Sequence, residues 1–145
     1  MRRMITNSQT DAVQVRQTGS RLRVFTDRLT LEIDLEQGHY NAAGGTLWDW
    51  KEIRSAIRWN GREYHTGSYH RHSMNGEPES IEDAFGTGVH LTLVHESDML
   101  PMLEQHFWIY EGAAFYLTQL VAVHKTRIRL NRMTVITSLL YAALL

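Results

Sequence analysis

The sequence predicts an all-β protein, an antiparallel β-sandwich. Three observations carry the prediction. Apolar residues recur at every second position through most of the chain, turn dipeptides separate these runs, and no segment holds a helical period of useful length. Two-residue alternation marks a strand with one buried face, since successive side chains leave the pleat on opposite sides. Roughly nine to eleven short strands joined by turns fit a sandwich or a barrel.

The elements follow in chain order. Leu22 and Val24, then Leu29, Leu31, Ile33 and Leu35, place apolar groups on one face, with Arg23, Thr30, Glu32 and Asp34 opposite. Asp27-Arg28 between these runs fits a tight hairpin turn. Gly44-Gly45 signals the next turn, and Trp48 and Trp50 share one face of the strand behind it. Ile53 to Trp59 alternates loosely, and Asn60-Gly61 after it is the strongest hairpin signal in the chain. Residues 66–82 are polar, contain Gly67, Gly76 and Pro78, and read as a long loop. Past it, Val89, Leu91 and Leu93 alternate with His90, Thr92 and Val94. Leu103, Gln105, Phe107 and Ile109 then alternate with Glu104, His106, Trp108 and Tyr110. Glu111-Gly112 makes a turn, Phe115, Leu117, Gln119, Val121 and Val123 begin the return, and Ile128, Leu130 and Val135 continue the habit.

At 145 residues a single domain, 1–145, is the default. The 15 basic and 16 acidic residues nearly cancel, which argues against a nucleic-acid partner. The run Lys125-Thr126-Arg127-Ile128-Arg129 is broken by apolar residues and reads as the solvent face of a strand. The absence of cysteine excludes disulfides and thiolate metal sites. Two arginines open the chain with no apolar stretch behind them, so no secretory signal is expected and a cytoplasmic location is. The apolar tail 138–145 is shorter than the roughly 20 residues of a membrane span, so no membrane partner is expected. Nothing in the composition calls for a cofactor.

Three constellations are candidates for chemistry. Asp83-Ala84-Phe85-Gly86-Thr87-Gly88 has neither the third glycine and following helix of a dinucleotide fingerprint nor the Gly-Lys-Ser/Thr of a P-loop. Its glycines are read instead as easing a bend where a strand enters the sheet, with Phe85 anchoring the corner in the core. The second constellation is His70, His72 and Glu77, which resembles part of the first metal motif of the cupins. That resemblance implies, as a second reading of function, a small metalloprotein with these three residues as ligands. It is partial: Tyr64 stands where the cupin glycine belongs, and no second motif is clear around Pro101 and His106. The third is aromatic. Sugar binding needs ring planes flanked by hydrogen-bonding groups, and Trp48 with Asp49, and His106 with Trp108, suit it; the other reading of these rings is core filling. No Gly-x-Ser-x-Gly elbow is present, so no nucleophile arrangement is assigned.

Asp83 to Gly88, then Pro101-Met102-Leu103-Glu104-Gln105-His106-Phe107-Trp108-Ile109-Tyr110-Glu111-Gly112, then Asn131-Arg132-Met133, together resemble the amino-terminal β-sandwich of family 36 glycoside hydrolases. Those are the α-galactosidase and raffinose-synthase-like enzymes. The likeness covers about residues 80–136. It implies a galactose-mutarotase-like supersandwich, galactosides as ligand and a catalytic barrel as partner in the parent enzyme. A barrel takes ~250 residues, so this chain is too short to hold one. Trp48-Asp49 looks like the family's nucleophile strand, but Leu47 replaces its lysine and Lys51 its asparagine, so no catalytic residue is carried over. The implied role is non-catalytic: packing against the barrel, supporting oligomerisation or bordering a sugar pocket. After Met133, where relatives continue with a proline-containing segment and further strands, this chain runs into an apolar stop. The expectation is a truncated or minimal sandwich whose unpaired apolar edge favours a homo-oligomer.

Overall fold

The computed structural model describes residues 12–124 and 132–137. The amino-terminal segment to Asp11, the basic run from Lys125, Asn131 and the apolar tail 138–145 lie outside the described residues. In chain order the strands are β1 (Gln14–Thr18), β2 (Arg21–Phe25), β3 (Thr30–Asp34), β4 (His39–Gly44), β5 (Trp48–Trp59) and β6 (Arg62–His65). They continue as β7 (Arg71–Met74), β8 (Glu79–Asp83), β9 (Gly86–Glu96), β10 (Met102–Tyr110), β11 (Tyr116–Val123) and β12 (Arg132–Thr137). One sheet runs β1-β2-β3-β4-β5-β12, with β6 also on β5; the other runs β11-β10-β9-β7, with β8 also on β9. Every pairing among them is antiparallel, and the two sheets face each other across a shared core. The fold is an all-β sandwich. No helix among the described residues is long and apolar enough to cross a membrane.

The hairpins have local causes. Between β2 and β3 the Thr26 amide donates to the Leu29 carbonyl (2.8 Å), and the Thr26 hydroxyl accepts from the amides of Arg28 and Leu29. Asn60 and Gly61 both have positive φ, 52° and 75°, as the two-residue turn between β5 and β6 requires. The loose alternation after Trp50 is a β-bulge. Ala42 pairs with Trp50 and Tyr40 with Ile53, so Lys51 and Glu52 together oppose Asn41, whose Oδ1 accepts the Glu52 amide (2.8 Å).

Two expectations are corrected. Residues 66–82 are not one loop: a short 3₁₀ turn (Thr66–Ser68) and the strands β7 and β8 lie within them. Both strands are short and mostly exposed, so only His72 and Met74 of β7 and Ile81 of β8 turn away from solvent, too few to leave a hydrophobic period. Phe85, in turn, does not anchor a core corner. It sits 59% exposed at the tip of a two-residue turn joining β8 to β9, where the Asp83 carboxylate accepts its amide (2.8 Å). Gly88 lies in regular pairing within β9 rather than at a bend, and an added Cβ there would lie 2.1 Å from the Ile109 carbonyl oxygen on β10.

Leu22, Val24, Leu31, Ile33, Tyr40 and Ile53 from the first sheet meet Leu91, Leu93, Phe107 and Ile109 from the second. Tyr40 presents its edge to Phe107 at 5.0 Å, and its hydroxyl lies 2.9 Å from that of Tyr116 on β11. A smaller cluster of Ile57, Tyr69, Leu103 and Leu120 continues the core toward the other end. Between the two clusters the inward positions turn polar: Ser55 separates Ile53 from Ile57, and Gln105 separates Leu103 from Phe107.

Placing alanine at Gly88 is expected to cost about 3 kcal/mol, because the clash is with backbone of a central strand. Gly61→Ala, which meets open space and suffers only its positive φ of 75°, is expected to cost roughly 1–2 kcal/mol. Urea denaturation of the two variants checks the order.

Candidate functional site

The second sheet has two faces with different chemistry. Cross-strand partners share a face, so Glu79, His90, Trp108 and Leu117 form a row across β8, β9, β10 and β11. Thr92, His106 and Gln119 make the adjacent row. The alternation that buries Leu103, Gln105, Phe107 and Ile109 sends His106 and Trp108 outward together, so these two rings do not fill the core.

On this outer face three rings lie nearly parallel. His90 is 4.8 Å from Trp108 and 5.1 Å from His106, with interplanar angles of 13° and 6°. His90 Nε2 and His106 Nδ1 are 2.9 Å apart, so one ring donates and the other accepts, and the Thr92 hydroxyl is 3.1 Å from the same His106 nitrogen. Burial, and then the neighbouring His90, hold His106 below the ordinary imidazole value, with Glu104 opposing. Glu79 stands 3.9 Å from His90 Nδ1 and is mostly exposed, a weak pairing.

Beside Trp108 an open groove of about 620 Å³ is lined by Asp83, Phe85, Trp108, Tyr110, Leu117 and Gln119, among others. The Tyr110 hydroxyl donates to Asp83 Oδ2 (2.7 Å), and Phe85 leans against the Tyr110 ring at 5.7 Å. Burial, then the hydrogen bond and charge of Asp83, push the Tyr110 phenol up to about 12, which keeps it a donor. Both oxygens of Asp83 are thereby fixed, one by the Phe85 amide and one by Tyr110.

The remaining sequence candidates are dispersed. Trp48 is half-buried on the inner side of β5, beside Trp50 (5.9 Å) and Tyr116 (6.3 Å), and its indole covers Gly44 so closely that a Cβ there would lie 2.2 Å away. Asp49 is exposed on the strand's other face and pairs with Lys51 (3.2 Å). Trp48 and Asp49 therefore neither share a face nor reach Trp108, which lies on the far side of the second sheet. His70 and Glu77 are exposed, whereas His72 points inward. Among the described residues no three His, Cys, Asp or Glu side chains gather as a metal group.

His72 belongs to a buried polar chain with no sequence signal of its own. Gln105 Oε1 can only accept, so His95 Nε2 donates to it (2.9 Å) and Gln105 Nε2 donates to Ser55 Oγ (3.0 Å). Ser55 Oγ in turn donates to the Val135 carbonyl of β12. The neutral His95 ring is left with Nδ1 as acceptor, and His72 Nδ1 donates to it (2.8 Å). Burial, above all, holds His95 down to about 4. His90, by contrast, was legible: it shares the outward phase of β9 as His106 shares that of β10.

Comparison with protein-family models, with characterised proteins and with solved structures finds no match to this chain.

The His95 shift has a pH consequence. The folded value of about 4 lies below the ordinary 6.5, so the unfolded chain binds the extra proton first. Stability is full above pH 6.5 and falls as pH drops from 6.5 toward about 4, by roughly 3 kcal/mol in total. Denaturant midpoints measured across that window are expected to show the fall, and His95→Gln is expected to flatten it. A profile as steep in the variant as in the wild type would assign the loss elsewhere.

Proposed function

We propose that this protein is a non-catalytic carbohydrate-binding β-sandwich, of the kind that opens an α-galactosidase-like glycoside hydrolase. The observation that carries the reading is the Trp108 platform: an outward indole steadied by two near-parallel imidazoles, beside a groove edged by a carboxylate, a phenol and an amide. A pyranose has an apolar C–H face that stacks on such a ring and hydroxyls that need donors and acceptors around its rim. Asp83 and Gln119 supply acceptors, and Gln119 carries donors, the Tyr110 hydroxyl being given to Asp83. Among the described residues lining the groove Asp83 is the one carboxylate, whereas glycoside hydrolysis uses two, so the groove is suited to holding a sugar rather than cleaving it.

The resemblance of residues 80–136 to the amino-terminal sandwich of family 36 glycoside hydrolases supports the same role. In such a parent the domain would pack against the catalytic barrel, support oligomerisation and border a galactoside pocket.

Titration with galactose or raffinose, followed by tryptophan fluorescence, tests the reading. A saturable shift at about millimolar sugar is expected, and Trp108→Ala is expected to weaken it about tenfold, the scale of one aromatic stacking contact. No shift in the wild type, or an undiminished shift in Trp108→Ala, would remove the groove as the site.

A further inference from the structure

Between Glu79 and Val123 the chain contains seven carboxylate residues and no lysine or arginine, although 15 basic residues occur in the whole sequence. This stretch supplies β8, β9, β10 and β11, and so every described residue lining the groove. On the same sheet, Arg71 of β7 pairs with Asp98 (3.5 Å), and its row crosses β10 at Met102, about 20 Å along the strand from Trp108. At the turn beyond β10, Arg28 reaches the Gly112 carbonyl (3.3 Å) but does not line the groove. Among its described lining residues the groove thus combines the aromatic rings of Trp108 and Phe85 with an anchored carboxylate and no lysine or arginine. Each oxygen of Asp83 accepts one internal hydrogen bond and keeps a lone pair for a ligand.

We infer that the groove selects a sugar bearing a free ammonium group, an amino sugar, over neutral and acidic sugars. This rests on the carbohydrate reading above and narrows it. An ammonium donates a charge-assisted hydrogen bond to Asp83 and is attracted by the ring faces beside it. A uronic acid or a sugar phosphate meets a carboxylate and no counter-charge, and is repelled.

Ligand-observed NMR titrations in neutral, low-salt buffer compare galactosamine, methyl galactoside, N-acetylgalactosamine and galacturonate on the full chain. Galactosamine is expected to bind about tenfold tighter than the two uncharged sugars, the scale of one charge-assisted contact, with galacturonate weakest. The preference is expected to shrink as salt is added. In Asp83→Asn, which keeps an acceptor for the Phe85 amide, the preference for galactosamine over N-acetylgalactosamine is expected to vanish. N-acetylgalactosamine removes the charge from the ligand instead, so the comparison stands even if the variant folds poorly. Equal binding of galactosamine and N-acetylgalactosamine, or galacturonate binding as tightly as galactosamine, overturns the inference and leaves the carbohydrate reading standing. Failure of all four sugars to bind overturns both.

Discussion

The imidazole of His95 is enclosed between two β-sheets at 1% exposure, and each of its nitrogens has one partner. An unpaired polar group in such a place costs as much as several good contacts supply, so the partners are obligatory. Satisfying them recruits one residue from each of five strands: His72 on β7, His95 on β9, Gln105 on β10, Ser55 on β5 and the Val135 carbonyl on β12. The direction of donation is fixed throughout by the amide and carbonyl acceptors, and one slipped register would leave the chain open at that point. Gly38 belongs to the same fit, since a Cβ there would meet the His72 ring at 2.3 Å. The two sheets are held in one alignment by this chain together with the Tyr40–Tyr116 contact and the apolar packing on either side.

That alignment also determines what the outside of the second sheet presents. Because Gln105 and Phe107 must face inward, His106 and Trp108 must face outward, and the register with β9 sets His90 against both. The β8–β9 turn then places Asp83 and Phe85 at the margin of the same face, with Tyr110 joining them through its hydroxyl. The outer groove is thus a by-product of inner packing, built on β10, the end strand β11 and the β8–β9 turn rather than on long loops. Such a surface is rigid, which suits a ring-stacking site where orientation decides affinity.

Much of the fold was legible in the sequence because strand periodicity is a local signal. The rows Leu22–Val24, Leu29–Ile33, Leu91–Leu93 and Leu103–Ile109 are buried where their alternation placed them, and the Asn60-Gly61 turn has the positive φ values its residues allow. The signal failed where a strand has too few apolar residues, as in β7 and β8, or apolar residues on both faces, as in β11. In β11, Leu117 and Val121 lie on the outer side, while Tyr116 and Leu120 are the residues turned to the core. Of the sugar candidates, His106 and Trp108 come together because they are two apart on one strand. Trp48 and Asp49 are adjacent, and adjacency on a strand sends them to opposite faces.

The sequence by itself determined an all-β chain, its main inward rows, its turns and the shared face of His106 and Trp108, since each depends on residues within one or two strands. Tertiary structure alone decided that His72 and His95 share a proton position, that Ser55 and Gln105 are a polar seam through the core, and that Asp83 meets Tyr110 across a 27-residue separation. The physical reason is sheet pairing. Strands far apart in the chain become neighbours through a register that the core fixes as a whole, and no local pattern encodes that register.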